Sequence, residues 1–267
     1  MRLAYSKKGS ALQDIVKGAT MFRLWATLAL HDVRLRYRGS ILGPFWVTVS
    51  TAILITALGL IYPKLFGLDT TEYLPYLAVG LVVWQFILTQ INEACSTFSG
   101  SYSIIHQIKL PYSVWVYRSV FRNFITFAHN VVVIVVVFLF VGIVPPITLL
   151  WHVFVGVLLL LVNGIWMCLF LGMLGARFRD IPPMITNFMT LAFFVTPIFW
   201  FPINAGEWWF LIQLNPFFAI IDLIRSPLLG SLPEATSLPI SIAVAVFGLL
   251  IAFMVFAKYR ARIPFWA

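Results

Sequence analysis

Charge is scarce in this 267-residue chain. Asp, Glu, Lys and Arg together make up 10% of it, against roughly 25% in a soluble domain. So little charge cannot coat a water-facing surface. Meanwhile 61% of the residues are hydrophobic, above the roughly 45–50% of a globular protein. Mean hydropathy is +0.98, and lipid is the natural place for the excess. Cysteine is nearly missing. Cys95 and Cys168 lie far apart in or beside apolar segments; they make neither a disulfide framework nor a zinc motif and read as packing residues. The histidines, His31, His106, His129 and His152, lack metal-ligand spacing, so no metal site is expected. No G-x-x-x-x-G-K-[ST] loop, no H-E-x-x-H and no G-x-S-x-G is present. The chain therefore has none of those devices for cradling ATP, holding catalytic zinc or activating a serine. The first forty residues are basic and mixed and lack a compact apolar stretch before a small-residue cleavage site, so no cleavable signal is expected.

What is present is a series of long apolar runs. At ~20 residues per crossing, six spans are predicted, over residues 42–62, 74–98, 120–141, 149–174, 184–201 and 238–257. The runs within 131–141 and 153–162 are almost purely aliphatic, unlike soluble amphipathic helices, which keep a polar face. Of the 18 Lys and Arg residues, all but Lys64 and Arg225 fall before the first span, in the second-to-third and fourth-to-fifth connections, or in the tail. By the positive-inside rule both termini are cytoplasmic. The net charge of +9 is thus a topology signal rather than a nucleic-acid surface. Residues 1–41 are read as a cytoplasmic N-terminus with an interface helix, and 42–267 as the all-α transmembrane domain.

Within 20–38, Arg23, Thr27, His31, Arg34 and Arg38 draw one polar stripe, with Phe22, Trp25, Ala29 and Val33 opposite. This pattern predicts a basic amphipathic helix in the membrane interface, or else an ordinary juxtamembrane helix. Residues 201–239 are too long and apolar for a simple loop. They carry Trp208, Trp209, Phe210, Pro216, Phe217 and Phe218, then a second Pro/Gly cluster. Two short helices that dip into the outer leaflet and return are expected; a hairpin flat on the outer surface is the alternative.

Inside the spans the strongly ionisable groups are Glu93 and His129, too few for the usual ion-coupled transporter. Glu93 is expected to pair with Arg118 or Arg122. Uncharged polar residues form stripes: Thr48 and Thr51 on the first span; Gln85, Thr89 and Asn92 on the second; Asn123, Thr126 and Asn130 on the third. On the fifth, Asn187, Thr190, Phe194 and Pro197 share a face. Each stripe is either interhelical hydrogen bonding, worth ~0.6 kcal/mol per contact, or a wall that hydrogen-bonds a hydroxyl-rich substrate.

The segment Arg36-Tyr37-Arg38-Gly39-Ser40-Ile41-Leu42-Gly43-Pro44-Phe45-Trp46 resembles the R-Y-x-x-S-x-L-G-x-x-W signature of ABC-2 type permeases, with polysaccharide exporters as the nearest subgroup. Lys109-Leu110-Pro111 resembles that family's K-x-P segment, and Ala176-Arg177-Phe178-Arg179-Asp180-Ile181 its A-R-F-R-D turn. The tail from Tyr259 to Trp266 is similar to endings in the O-antigen subgroup. The resemblance implies a homodimer with two copies of a separate ABC ATPase subunit, which would bind ATP and Mg. It implies that 99–118 and 176–183, with His106, Lys109, Arg177, Arg179 and Asp180, face that ATPase. Trp208, Trp209, Phe217 and Phe218 would belong to an external gate. The cargo would be an undecaprenyl-diphosphate-linked polysaccharide, most simply O-antigen, crossing a bacterial inner membrane. The guanidinium groups of Arg34, Arg36 and Arg38 offer phosphate contacts for its lipid diphosphate, or simply meet lipid headgroups. Teichoic acid, capsule, lipid or drug export are alternatives within the family. A membrane-embedded glycosyl- or acyltransferase is an alternative outside it, disfavoured because no acids or histidines converge at one membrane face.

Overall fold

The structure is a computed structural model that describes residues 10–39, 43 and 45–266, apart from the side chains of 203–205. The expectations placed on Arg2, Lys7 and Lys8, on Ser40, Ile41, Leu42 and Pro44, and on a boundary between 41 and 42 lie outside the described residues. Regular structure among the described residues is helical throughout. Five helices are long and apolar enough to cross a membrane. These are α3 (Phe45–Phe66), α4 (Thr70–Ala94), α6 (Ser113–Val141), α7 (Leu150–Arg177) and α11 (Ser237–Tyr259). The chain is a multi-pass membrane protein.

Two short helices precede them, α1 (Ala11–Thr20) and α2 (Phe22–Arg36). Ser10 starts α1 with a reciprocal cap: Gln13 N–H donates to Ser10 Oγ at 3.1 Å, and Ser10 N–H donates to Gln13 Oε1 at 2.9 Å. Helix α2 lies along α6. The face expected to meet lipid meets protein instead: Ala29 and Val33 are buried, and Trp25 packs edge-on against Phe121, with centroids 5.3 Å apart. Phe22 from that predicted face remains exposed.

Helix α4 is the hub. The most apolar part of α4 is 78% buried, whereas those of the other four long helices are 22–33% buried. Asp69 caps its start by accepting from Thr71 N–H at 2.8 Å. Its centre is close-packed, and Gly80 is one reason: a Cβ there would sit 3.2 Å from the Ile198 carbonyl oxygen and 3.4 Å from Arg225 Nη1. The span expected to reach 98 ends as a helix at Ala94, and a 3-10 turn, Ser99–Ser101, leads to α5 (Tyr102–Gln107). Helix α6 begins seven residues before the predicted start at 120. Its early turns carry Arg118 and Arg122, whose carboxylate partners let charged helix form beyond the apolar run.

The fifth span is the main correction. Residues 184–201 were expected to cross as one helix, but the helical part, α8, covers Ile181–Val195, and the rest of the run to 201 continues as unwound chain to the far end of α4. At 1.5 Å per residue α8 is about 22 Å long, short of the ~30 Å hydrocarbon layer. Pro182 and Pro183 open it, where missing N–H donors cost nothing. Pro197 closes it, by pushing Thr196 to an extended φ/ψ of −88°/130°. The chain then turns through a 3-10 segment, Pro202–Trp208, into α9 (Trp209–Gln213) and α10 (Pro216–Leu228). The two arms of this region are bent by 92°. Helix α12 (Ile263–Trp266) ends the described chain.

Candidate functional site: a groove and two polar ends

Three elements build a groove on one side of the hub. Its wall includes Leu54 of α3, Leu81, Trp84, Gln85 and Leu88 of α4, and Met189, Thr190, Phe193 and Phe194 of α8, around a volume of about 260 Å³. The groove brings Gln85, from the stripe on the second span, together with Thr190 and Phe194, from the stripe on the fifth. Gln85 is half-buried and has no hydrogen-bond partner among the described residues, so its amide is available to a ligand. Thr190 donates to the Thr186 carbonyl at 3.0 Å, leaving its lone pairs free. Below the groove, Thr186 donates to Asn92 Oδ1 at 3.1 Å, tying α8 to α4. Thr89, one turn beyond Gln85, is half-buried, and Asn187 faces outward from α8. The aromatic contribution of Trp84 and Phe193, with centroids 5.7 Å apart, was missed; Trp84 adjoins Gln85 in sequence and was legible only as an apolar residue.

The other polar candidates are spent inside the bundle. Thr48 donates to Asn130 Oδ1 at 3.2 Å, joining α3 to α6. Asn123 donates to Gln90 Oε1 at 3.1 Å, and Gln90 in turn donates to Cys168 Sγ at 3.0 Å, joining α6, α4 and α7. Thr51 returns a bond of 2.9 Å to the Val47 carbonyl. All four, Thr48, Thr51, Asn123 and Asn130, are buried. Within the chain they take the interhelical role rather than lining open space.

At one end of the bundle five charged side chains form a chain across α2, α4 and α6. Arg118 binds Asp32 in a fork, with Nε at 2.6 Å. Arg122 donates to Asp32 at 3.0 Å and to Glu93 at 2.6 Å, and Arg36 reaches the other Glu93 oxygen at 2.6 Å. Burial works against ionising Asp32, but the hydrogen bonds and charges of Arg118 and Arg122 outweigh it and hold this carboxyl below its ordinary range. Arg36, Arg118, Arg122, Glu93 and the hydroxyls of Ser96, Thr97, Ser101 and Ser119 enclose a polar cavity of about 250 Å³. Three guanidinium groups against two carboxylates leave one positive charge in excess. The expected Glu93–Arg122 pair is present, while Arg118 turns to Asp32. Of the three arginines expected to meet a diphosphate, Arg36 is engaged by Glu93. Arg34 and Arg38 are exposed and have no partner among the described residues.

Nearby, His106 and Lys109 border a small cleft closed by Trp115 and Pro264. His106 Nδ1 lies 2.9 Å from the Tyr102 carbonyl, an acceptor that suits the tautomer with Nδ1 protonated. Arg177 stacks between Phe178 and Trp266, 5.0 Å from each ring, and Arg179 and Asp180 are exposed in the turn before α8. These residues share the arginine-rich end.

The opposite end is held by hydrogen bonds to the unwound chain after α8. Tyr73 OH donates to the Phe199 carbonyl at 2.6 Å, and Tyr76 OH lies 3.0 and 2.9 Å from the carbonyls of Pro197 and Trp200. Of the four expected gate residues, Trp208 is 70% exposed and Phe218 is fully buried. Trp209 packs on Phe218 at 5.6 Å, and Phe217 on Trp84 at 5.6 Å. Phe217 thereby connects α10 to a wall residue of the groove.

Comparison with known proteins gives the family of the chain. The chain is 25% identical over 249 residues to an O-antigen export system permease protein, RfbA, of Myxococcus xanthus, covering 89% of this chain and 92% of the relative. It is also 25% identical over 179 residues to a protein of the same name from Klebsiella pneumoniae, covering 67% of this chain and 69% of that one. A family model described as ABC-2 type transporter matches residues 23–229. This chain belongs to the ABC-2 type transporter family.

Proposed function

We propose that this chain is the membrane-spanning permease of an ATP-driven exporter that moves undecaprenyl-diphosphate-linked polysaccharide, O-antigen first among candidates, out across a bacterial inner membrane. The observation that carries the reading is the groove between α3, α4 and α8. Gln85 and Thr190 supply polar contacts, and Trp84, Phe193 and Phe194 supply aromatic faces, on a chain similar to O-antigen export permeases along most of its length. Two such half-grooves, brought face to face in a homodimer, make a conduit whose contacts are weak enough to let a glycan slide.

The arginine-rich end is cytoplasmic in this reading, as the positive-inside rule requires, and both termini lie there. The exposed turn at Arg179 and Asp180 and the cleft at His106 and Lys109 meet two copies of an ABC ATPase, which carry the ATP and Mg. The permease itself is a transport subunit, not an enzyme. The α9–α10 pair dips into the outer leaflet as a re-entrant hairpin, and the unwound chain that leads into it from α8 is satisfied by protein rather than lipid. Arg34 and Arg38 receive the lipid diphosphate, and the cavity among Arg36, Arg118 and Arg122 offers a second phosphate-sized station behind them.

The experiment is genetic and chemical. A deletion strain should accumulate lipid-linked glycan in its inner leaflet, and the wild-type gene, together with that of its ATPase, should clear it. Replacing Arg34 and Arg38 together with Gln avoids the structural pair at Arg36. That double variant should export poorly at a normal protein level. Accumulation that never occurs in the deletion strain would remove the cargo assignment, and full export by the double variant would remove the role of the two arginines.

A further inference from the structure

A second cavity, about 660 Å³ in volume, lies at the end of the bundle far from the arginine-rich pocket, among α4, α9, α10 and the loop before α11. Its wall combines unlike chemistries: Tyr76, Trp209, Asp222, Arg225, Ser226 and Glu234 all contribute. Two of these are buried charges. Arg225 is 2% exposed and Asp222 4%, yet no ion pair joins them among the described residues. Arg225 lies over the Tyr76 ring at 3.8 Å and donates to the Pro197 carbonyl at 2.8 Å. Asp222 accepts from Ser226 Oγ, from Glu234 N–H at 2.8 Å and from Ser237 Oγ at 2.7 Å. Such bonds hold the back wall rigid. Buried charge in a membrane protein is costly and marks function by default.

The front of the cavity is less committed. Trp209 is half-buried, fixed edge-on to Phe218, and its indole N–H has no partner among the described residues. Glu234 is exposed and accepts a single long bond, 3.4 Å, from Gln213. A fixed aromatic face, an available N–H donor and an available carboxylate acceptor are complementary to a ring with an apolar C–H face and a rim of hydroxyls. The volume falls in the range of small-molecule sites. Two carboxylates against one guanidinium make the wall net negative, which disfavours phosphate and uronate. The buried charges disfavour a hydrocarbon tail. We propose that this cavity is a binding subsite for a short stretch of neutral saccharide, touched by Trp209 and Glu234 and backed by Arg225. The proposal rests on the reading of the cargo as a glycan and adds a station beyond the groove.

The test uses the full chain in nanodiscs. The probe is the glycan released by mild acid from the producing strain's own lipid-linked pool, observed by saturation-transfer NMR. Wild-type protein should transfer saturation to the glycan. Trp209→Ala and Glu234→Gln should each weaken binding about tenfold. Trp208→Ala, changing a residue outside the cavity wall, should not. Trp209→Phe keeps a ring in place and should retain most of the signal, which separates lost stacking from lost folding. No transfer from wild type, or an equal loss with Trp208→Ala, overturns the proposal. Should the deletion strain accumulate glycan and the wild-type gene clear it while the nanodisc protein shows no transfer, the subsite alone fails. With no accumulation at all, the cargo reading fails first.

Discussion

Arg225 donates to the carbonyl of Pro197 at 2.8 Å, and that bond explains how α8 can stop short inside a membrane protein. Pro197 ends the helix and strands carbonyls in a segment whose residues 196–198 are buried in the protein. Arg225, Tyr73 and Tyr76 supply the missing donors. A lysine at 225 keeps the charge but neither lies flat on Tyr76 nor reaches Pro197 with the same planar fork. Arg225→Lys should therefore cost about 2 kcal/mol, the scale of a hydrogen bond to a charged group. Thermal melting of the purified protein, followed by size-exclusion fluorescence, should show a lower midpoint. An unchanged midpoint would mean that the tyrosines alone suffice.

The same arrangement marks a limit of the sequence. Long apolar runs report spans because lipid leaves little alternative, and five long helices appear close to their predicted places. The end of the fifth span was not legible from hydrophobicity, since 196–201 stays apolar after the helix breaks. The breaker, Pro197, was visible. Its stranded carbonyls needed donors from α4 and α10, which only the folded chain identifies. Polar stripes behave similarly. Periodicity puts Asn123 and Asn130 on one face, but not which neighbour that face meets.

Asp32 gives a pH prediction. Its carboxyl is held below the ordinary value by Arg118 and Arg122. As pH falls, the unfolded chain takes up this proton before the folded chain does. The stabilisation is therefore full above about pH 5 and is lost as pH drops through the ordinary carboxylate range toward the lower folded value. Asp32→Asn should loosen α2 from α6 at neutral pH, seen as faster amide exchange across α2. The variant should also lose part of the wild-type acid sensitivity that sets in as pH falls through the ordinary carboxylate range. Identical exchange in the two proteins at pH 7 would show that α2 is held by Trp25, Ala29 and Val33 alone.

Gln85 and Thr48 separate transport from scaffolding. Gln85 is half-buried in the groove with its amide free, whereas Thr48 is buried and bonded to Asn130. Gln85→Leu should reduce export severalfold with melting unchanged, because it removes a wall contact but no internal bond. Thr48→Val should lower stability by about 0.6 kcal/mol, the scale of membrane hydrogen bonds, seen as a lower melting midpoint, and leave export per folded molecule intact. The reverse pattern would move the conduit from the α3–α4–α8 groove to the α3–α6 contact.

Gly175 tests how closely α7 must approach the end of α4. A Cβ at this position would fall on the Cys95 carbonyl oxygen, which is backbone and cannot swing aside as a side chain can. Small residues at membrane helix contacts allow such backbone approach. Gly175→Ala must push α7 away from α4, a strain of about 1–3 kcal/mol. The displacement begins just before the turn that carries Arg177, Arg179 and Asp180. If that turn meets the ATPase, the variant should lose coupling before it loses its fold. Copurification of the ATPase should fall, while the amount of permease in the membrane falls less. Gly164→Ala, on the same helix but away from that turn, is the control, since the nearest atoms to its added carbon are side-chain atoms of Gln90 and Val120 at 3.3–3.5 Å. Equal copurification from both variants would place the ATPase contact elsewhere on the arginine-rich end.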